Sequence, residues 1–208
     1  MVEWLRTQRN RPELMKYFRQ EKEITPIQQA IWWNTIGSNP RKCRPFLINQ
    51  VIDANVNYVG YAGFLPFQGF ARRAEFGIFV IPEFQGQGIG KEALLLLLRN
   101  GFEKLGLVNI YSDVLDYPGE NRFQFYKDLG FVANDAAYQT IQYRKNGVFV
   151  KAIKFYMTKE MWDKTHGNKR QDSVGSASTP AVAPEPVKAG KEGDRVPSGK
   201  ANVKKVSR

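Results

Sequence analysis

The sequence predicts an α/β domain built on a mixed, twisted, mostly antiparallel sheet with helices on both faces. Three observations predict it. Helical signals fill the first 37 residues, and from Pro45 to Ile81 the pattern changes to three short apolar runs separated by turn residues. A strand, a glycine-rich bend, a long apolar helix and another strand then follow in order, before a further helix and a closing hairpin.

Residues 2–9 read as a short helix, stopped near Asn10 and Pro12, and Glu13 to Gln20 as a second. Thr25 is placed to cap a third, with Pro26 at its first position, where the missing amide hydrogen costs nothing, and Gly37 at its end. Phe46, Leu47, Ile48, Val51 and Ile52 make Pro45–Asp53 a strand, with a turn at 54–57. Tyr58–Pro66 and Arg73–Ile81 are the next two, the latter ended by Pro82. Gln85–Gly90 bends the chain into a helix from Ile89 to Leu105; with leucine at every position from 94 to 98 it is apolar on most faces and expected to be buried against the sheet. Leu107–Val114 is a strand and Glu120–Leu129 a helix with Gly130 as its C-cap. Tyr138–Arg144 and Val148–Met157 flank Asn146-Gly147, a pair suited to a tight hairpin.

Of the 208 residues, 42% are apolar and 13% aromatic, enough for one sizeable core. Cys43 is the single cysteine, which excludes an intramolecular disulfide and a cysteine metal cluster. No potential metal ligands cluster, and no metal is expected. The opening residues lack the apolar stretch of a signal peptide, and the longest apolar run, 93–98, is too short to cross a bilayer. A soluble, cytoplasmic protein with no membrane partner is the expectation. The division expected is a catalytic domain over 1–163 and a tail over 164–208. From Lys164 onward, ten Lys/Arg face four Asp/Glu with no aromatic residue, so the tail carries more than half of the +11 net charge. Gly, Ser, Pro, Ala and Lys dominate it, a composition that cannot bury enough apolar surface to offset chain entropy. It reads as a solvated, disordered tail, or as one making weak electrostatic contacts with nucleic acid or an acidic partner; the scatter of its cations among prolines favours the former.

The chemistry centres on Ile78-Phe79-Val80-Ile81-Pro82-Glu83-Phe84-Gln85-Gly86-Gln87-Gly88-Ile89-Gly90-Lys91. A strand ends, glycines allow close approach of a ligand to the backbone, and a helix begins whose free amides and dipole favour phosphate oxygens. A Walker loop would need Gly at 85 and Ser or Thr after Lys91, and Gln85 and Glu92 stand there. The dinucleotide fingerprint would need its third glycine at Lys91. Asp113 falls about where a ribose-binding acid would, so the loop alone leaves the ligand open.

A second segment narrows it. Gln85-x-x-Gly88-x-Gly90 resembles the Gln/Arg-x-x-Gly-x-Gly/Ala loop of the GCN5-related N-acetyltransferase (GNAT) superfamily, and Asn121 with Tyr126, Gly130 and Phe131 resembles that superfamily's later Asn…Tyr…Gly-Phe segment. The resemblance spans roughly residues 4 to 162. It implies a GNAT-like sheet and an acetyl-CoA-dependent N-acetyltransferase. The pyrophosphate of acetyl-CoA would rest on backbone amides at Gln85, Gly86, Gln87, Gly88, Ile89, Gly90 and Lys91. Ile78, Phe79 and Val80 would offer backbone to the pantetheine arm, and Asn121 would lie near it. Tyr126 matches the tyrosine that protonates the leaving thiolate; read without the motif, it is a core aromatic beside Phe123 and Phe125. Glu75 resembles the strand carboxylate that some members use as the base; equally, it reads as a solvent-facing partner of Arg72 or Arg73. His166, the only histidine, lies at the tail boundary and is assigned no role.

The opening Arg9-Asn10-Arg11-Pro12-Glu13-Leu14-Met15, with Ile24-Thr25 and Trp32, is similar to the branch holding ribosomal-protein N-terminal acetyltransferases and the amino-sugar-nucleotide N-acetyltransferases of pseudaminic-acid-type pathways. That implies a small-molecule amine, with an amino-sugar nucleotide ahead of a protein N-terminus, as acceptor; a non-catalytic acyl-CoA-binding module is the alternative. Trp32, Trp33, Tyr17 and Phe18 would stack on the acceptor or form core. Family members begin with a strand before the first helix, and none precedes Val2 here, which implies an incomplete start or an open sheet edge. No oligomeric state is readable.

Overall fold

The computed structural model describes residues 1–39, 42–65, 72–117, 120, 122–134, 141–145 and 147–166, with the backbone alone for 141–144. All of them belong to one compact unit, Met1–Gln171. The tail beyond His166, Asn121 and Asn146 lie outside the described residues.

Three helices open the chain: α1 (Val2–Arg9), α2 (Pro12–Met15) and α3 (Pro26–Trp32), the last continuing as a π-helical turn over Trp33–Gly37. Thr25 caps α3 through a reciprocal pair of bonds: its hydroxyl accepts from the Gln28 amide at 3.2 Å, and the Gln28 side chain accepts from the Thr25 amide at 2.9 Å. The second helix stops at Met15 rather than at Gln20, giving way to turns in which Tyr17 N–H donates to the Leu14 carbonyl and Phe18 N–H to that of Met15, and tertiary donors reach carbonyls of the same stretch. Tyr117 Oη donates to the Lys16 carbonyl at 2.5 Å, and Lys145 Nζ donates to those of Met15 and Gln20.

Among the described residues there are seven strands, β1 (Arg44–Ile52), β2 (Asn55–Phe64), β3 (Arg73–Val80), β4 (Asn109–Leu115), β5 (Val132–Ala133), β6 (Ile141–Lys145) and β7 (Val148–Thr158). Their order is β1-β2-β3-β4-β7-β5, with β6 also paired to β7; every pairing is antiparallel except β3 with β4. The turn expected over 54–57 is shorter. Asp53 and Ala54 both take positive φ, 49° and 64°, so two residues close the hairpin and Asn55–Asn57 join β2. The two-residue β5 was not foreseen; it is too short to show a period.

Ile89–Arg99 forms α4, again extended by a π-helical turn, Asn100–Lys104. Its burial is one-sided rather than general: Leu94, Leu97 and Leu98 are buried and Leu96 is 57% exposed. Two further helices, α5 (Arg122–Asp128) and α6 (Lys159–His166), follow, the latter unforeseen. One core gathers Leu94, Leu98, Phe102, Tyr126 and Trp162 of the later helices against Phe64, Phe76, Ile110 and Phe155 of the sheet. A smaller one packs Leu5, Leu14, Phe18 and Trp32 on Tyr61, Phe79 and Ile81. The sheet thus carries helices on both faces, as expected. Among the described residues no helix is long and apolar enough to cross a membrane.

Candidate active site

The site begins where β3 and β4 part. Their parallel pairing runs only from Arg73↔Asn109 to Glu75↔Tyr111, while β3 stays paired with β2 as far as Val80 and β4 with β7 as far as Leu115. The strands diverge beyond Glu75 and open a cavity of about 660 Å³ between Phe76–Val80 and Ser112–Leu115. Leu65 N–H donates to the Glu75 carbonyl at 2.7 Å and Ile81 N–H to that of Val59 at 2.9 Å, so the odd-numbered residues of this strand bond towards β2. Antiparallel alternation then turns the backbone groups of Phe76, Ile78 and Val80 towards the cavity. The side chain of Phe79 stacks on Tyr61, on the face carrying α1–α3.

At the far end of β3 a 3₁₀ turn, Pro82–Phe84, leads into the glycine loop. Gln85 Nε2 donates to the Val80 carbonyl at 2.7 Å and Gln87 Nε2 to the Glu83 carbonyl at 3.3 Å, while the Glu83 carboxylate is held by Arg11 at 2.7 Å. Gly86 and Gly88 sit at φ +75° and +81°, a region that L side chains avoid, and a Cβ at either would point into open space. Gly88 is the N-cap of α4, whose first amides have no partner within the helix. Gln85, Gly90 and Val80 all line the cavity, so this helix end and the exposed strand backbone face one volume.

Tyr126 projects from α5 into the cavity wall, 8% exposed, among the rings of Phe76, Phe125, Phe131 and Phe155 at centroid distances of 5.2–6.2 Å. Burial pushes its phenol above the ordinary tyrosine range, opposed by the Arg122 guanidinium. No hydrogen bond to its hydroxyl is made among the described residues. Asn121 lies outside them.

Glu75 stands at the fork itself. Its carboxylate accepts from the Arg19 guanidinium, which also donates to Asp113 Oδ2 at 3.1 Å, and Lys154 Nζ lies 3.7 Å from Asp113 Oδ1. Burial raises the Glu75 carboxyl; Arg19 opposes this, and the Asp113 charge adds to it. Arg72, one of the partners considered from sequence, instead donates to the Gly106 carbonyl at 2.8 Å.

Sequence reasoning passed over Arg19 and Glu120. The Glu120 carboxylate accepts from Lys16 Nζ and Tyr17 Oη, both at 2.9 Å, and Arg122 lies over the Tyr17 ring at 3.7 Å. Phe18 and Trp32 both pack on the smaller core and line the cavity, so core and wall are the same surface. Arg9 reaches this wall under the Phe18 ring at 5.3 Å and donates to Gln20 Oε1 at 3.0 Å; burial lowers its pKa.

A strand pair thus splays beside a helix N-terminus, and the comparisons with known proteins give the family to which this fold belongs. Residues 2–116 match the acetyltransferase (GNAT) domain family, and the chain belongs to that family. It is 32% identical over 81 residues to the spermidine N(1)-acetyltransferase of Escherichia coli, a match covering 39% of this chain and 43% of that protein. The chain thus matches less than half the length of the curated relatives. Among solved structures, the fold is similar to that of spermidine N-acetyltransferase from Vibrio cholerae in complex with CoA and spermine, with a TM-score of 0.67, 22% identity, and 77% and 91% of the two chains covered. It is also similar to a domain from Methanocaldococcus jannaschii, with a TM-score of 0.57, 20% identity, and 76% and 91% covered.

Proposed function

We propose that the protein transfers the acetyl group of acetyl-CoA to a primary amine of a small, cationic, polyamine-like acceptor. The observation that carries this is the parting of β3 and β4 after Glu75, which opens strand backbone and the amides of α4 to a single cavity. The loop amides from Gln85 to Lys91 would take the pyrophosphate, and the backbone of Ile78 and Val80 the pantetheine amides. The amine nitrogen attacks the thioester carbonyl as Glu75 accepts its proton, directly or through water, and the carbon–sulfur bond then breaks. Tyr126 gives the departing sulfur its proton; its phenol, which burial pushes up, is in the protonated form at neutral pH.

The Escherichia coli relative and the Vibrio cholerae neighbour are spermidine acetyltransferases rather than amino-sugar-nucleotide or ribosomal-protein enzymes, which moves the acceptor away from the amino sugar favoured by the opening motif. The carboxylates of Glu75 and Asp113 support a cationic acceptor. Calorimetric titration with acetyl-CoA, with NAD and ATP as controls, tests the donor for wild type and Gly88→Glu. Selective binding that the substitution abolishes is expected. A thiol-release assay with spermidine, an amino-sugar nucleotide and an N-terminal peptide then tests the acceptor. Binding without transfer to any amine would leave an acyl-CoA-binding module.

A further inference from the structure

We propose that the guanidinium of Arg19 occupies the seat of the acceptor's ammonium group between Glu75 and Asp113, and that a cationic acceptor binds by displacing it. The inference rests on the amine-acetyltransferase reading and adds a specificity-determining residue to it.

Glu75 and Asp113 lie on adjacent parallel strands at the point where the pairing ends. Tyr111 is the register partner of Glu75, and Asp113, two residues on, shares its face of the sheet. Both carboxylates line the cavity and both are largely buried, with side-chain exposures of 17% and 6%. Two such carboxylates side by side repel each other unless a cation stands between them. Arg19 supplies that cation from a stretch with no regular structure, and its own side chain is 42% exposed. A second basic side chain, Lys154, reaches the other oxygen of Asp113 from β7 and lies over the Tyr111 ring at 4.6 Å.

The stretch 15–20, a strap that carries Arg19, is held down by polar bonds at Met15, Lys16, Tyr17 and Gln20. Lys145 holds the carbonyls of Met15 and Gln20, Tyr117 that of Lys16, and Glu120 the side chains of Lys16 and Tyr17. Those contacts fix the strap's ends and leave the Arg19 side chain, a long flexible arm, as the part that reaches the seat. An ammonium entering the cavity exchanges one cation for another, so the charge balance at the fork is kept. A neutral acceptor cannot make this exchange. Selectivity for cations then comes from competition as well as attraction.

The exchange also brings the acceptor nitrogen to the base. While Arg19 sits on Glu75 it holds the carboxyl down against the effects of burial and of Asp113. The incoming ammonium takes over that effect, and Glu75 then faces the nitrogen whose proton it must take. The charged groups that set its titration are Arg19 from the strap, Asp113 from β4 and Lys154 from β7.

The test compares wild type with Arg19→Ala and Arg19→Lys, each checked for unchanged melting and acetyl-CoA affinity. Spermidine binding to CoA-loaded protein is read by calorimetry, and KM and kcat are read for spermidine and for aniline, an amine neutral at pH 7. For Arg19→Ala we expect spermidine to bind about fivefold more tightly and its KM to fall by the same factor, the scale of a half-exposed ion pair. Aniline should respond less, and Arg19→Lys should restore wild-type behaviour. The acidic limb of kcat/KM should move to higher pH in Arg19→Ala. Added guanidinium ion at millimolar concentration should compete with spermidine in that variant far more than in wild type. Unchanged or weaker spermidine binding, or an equal gain for aniline, overturns the proposal. If wild type acetylates no amine, the function proposed above fails, and the binding titration still decides the seat.

Discussion

The side-chain amide of Gln85 donates to the carbonyl oxygen of Val80 at 2.7 Å, and this bond ties the glycine loop to the strand from which it departs. It fixes the angle between the exposed backbone of β3 and the first turn of α4, the two surfaces that must hold one extended ligand. Gln85→Ala should weaken acetyl-CoA binding about threefold to tenfold, the size of one hydrogen bond to a part-buried carbonyl. Calorimetry reads the loss, and unchanged affinity would show that the loop holds its angle without the bond.

Tyr126 has a bulky aromatic environment and no hydrogen bond to its hydroxyl among the described residues. Removing that hydroxyl therefore leaves the packing intact. Tyr126→Phe should melt within a degree or two of wild type and lose roughly 10²- to 10⁴-fold in kcat if the phenol is the acid. Burial raises its pKa, so the protonated form that the reaction needs persists, and wild type should keep its activity past the ordinary phenol range near ~10. A kcat within a factor of a few of wild type would assign Tyr126 to the core alone.

The bend and helix start of the glycine loop were legible in the chain because their signals are local, and Tyr126 stood out only through its resemblance to a family segment. A strand end, positive-φ glycines, a helix start and a helical tyrosine lie within short spans whose spacing covalent geometry enforces. Arg19 gave no such signal, because its partners Glu75 and Asp113 lie 56 and 94 residues away and only the folded sheet brings them together. The extent of burial on α4 was misjudged for a related reason. A run of five leucines covers more than the face a sheet can bury, and Leu96 is what remains outside. The hairpin at Asp53-Ala54 was read as longer because alanine seldom takes positive φ, and nothing local marks it for a two-residue turn.

Glu75 carries a carboxyl whose pKa burial raises, with Arg19 pulling the other way. As a base it must be ionised, so kcat/KM should rise with pH through a value above the ordinary glutamate range near ~4.3, and Glu75→Gln should lose that limb. The stability consequence has a definite sign. A carboxyl whose pKa is raised by folding favours the native state below its unfolded pKa, and that contribution is lost as pH rises through the folded pKa. The melting temperature of Glu75→Gln relative to wild type should therefore increase between acid and neutral pH. A difference that stays flat across that range would place the charge of Glu75 in solvent, and one that falls would show that the Arg19 ion pair outweighs burial.

Gly101 tests the packing that backs the site. It sits in the π-helical turn that continues α4, and a Cβ there would meet Ile110 Cδ1 at 2.6 Å and Phe64 Cζ at 2.7 Å. Both contacts are far inside van der Waals separation, and both partners are fully buried, so neither can step aside into solvent. Phe64 belongs to β2 and Ile110 to β4, the strands on either side of β3. A displaced α4 would also shift the amides at its N-terminus, because the helix moves as a rigid rod. Gly101→Ala should destabilise the fold by about 1–3 kcal/mol through overpacking, seen as a fall in melting temperature of roughly 2–4 °C per kcal/mol. Acetyl-CoA affinity should fall with it. If melting drops while affinity holds, the strain is absorbed within the π-helical turn, and the helix end is positioned by the Gln85–Val80 bond instead.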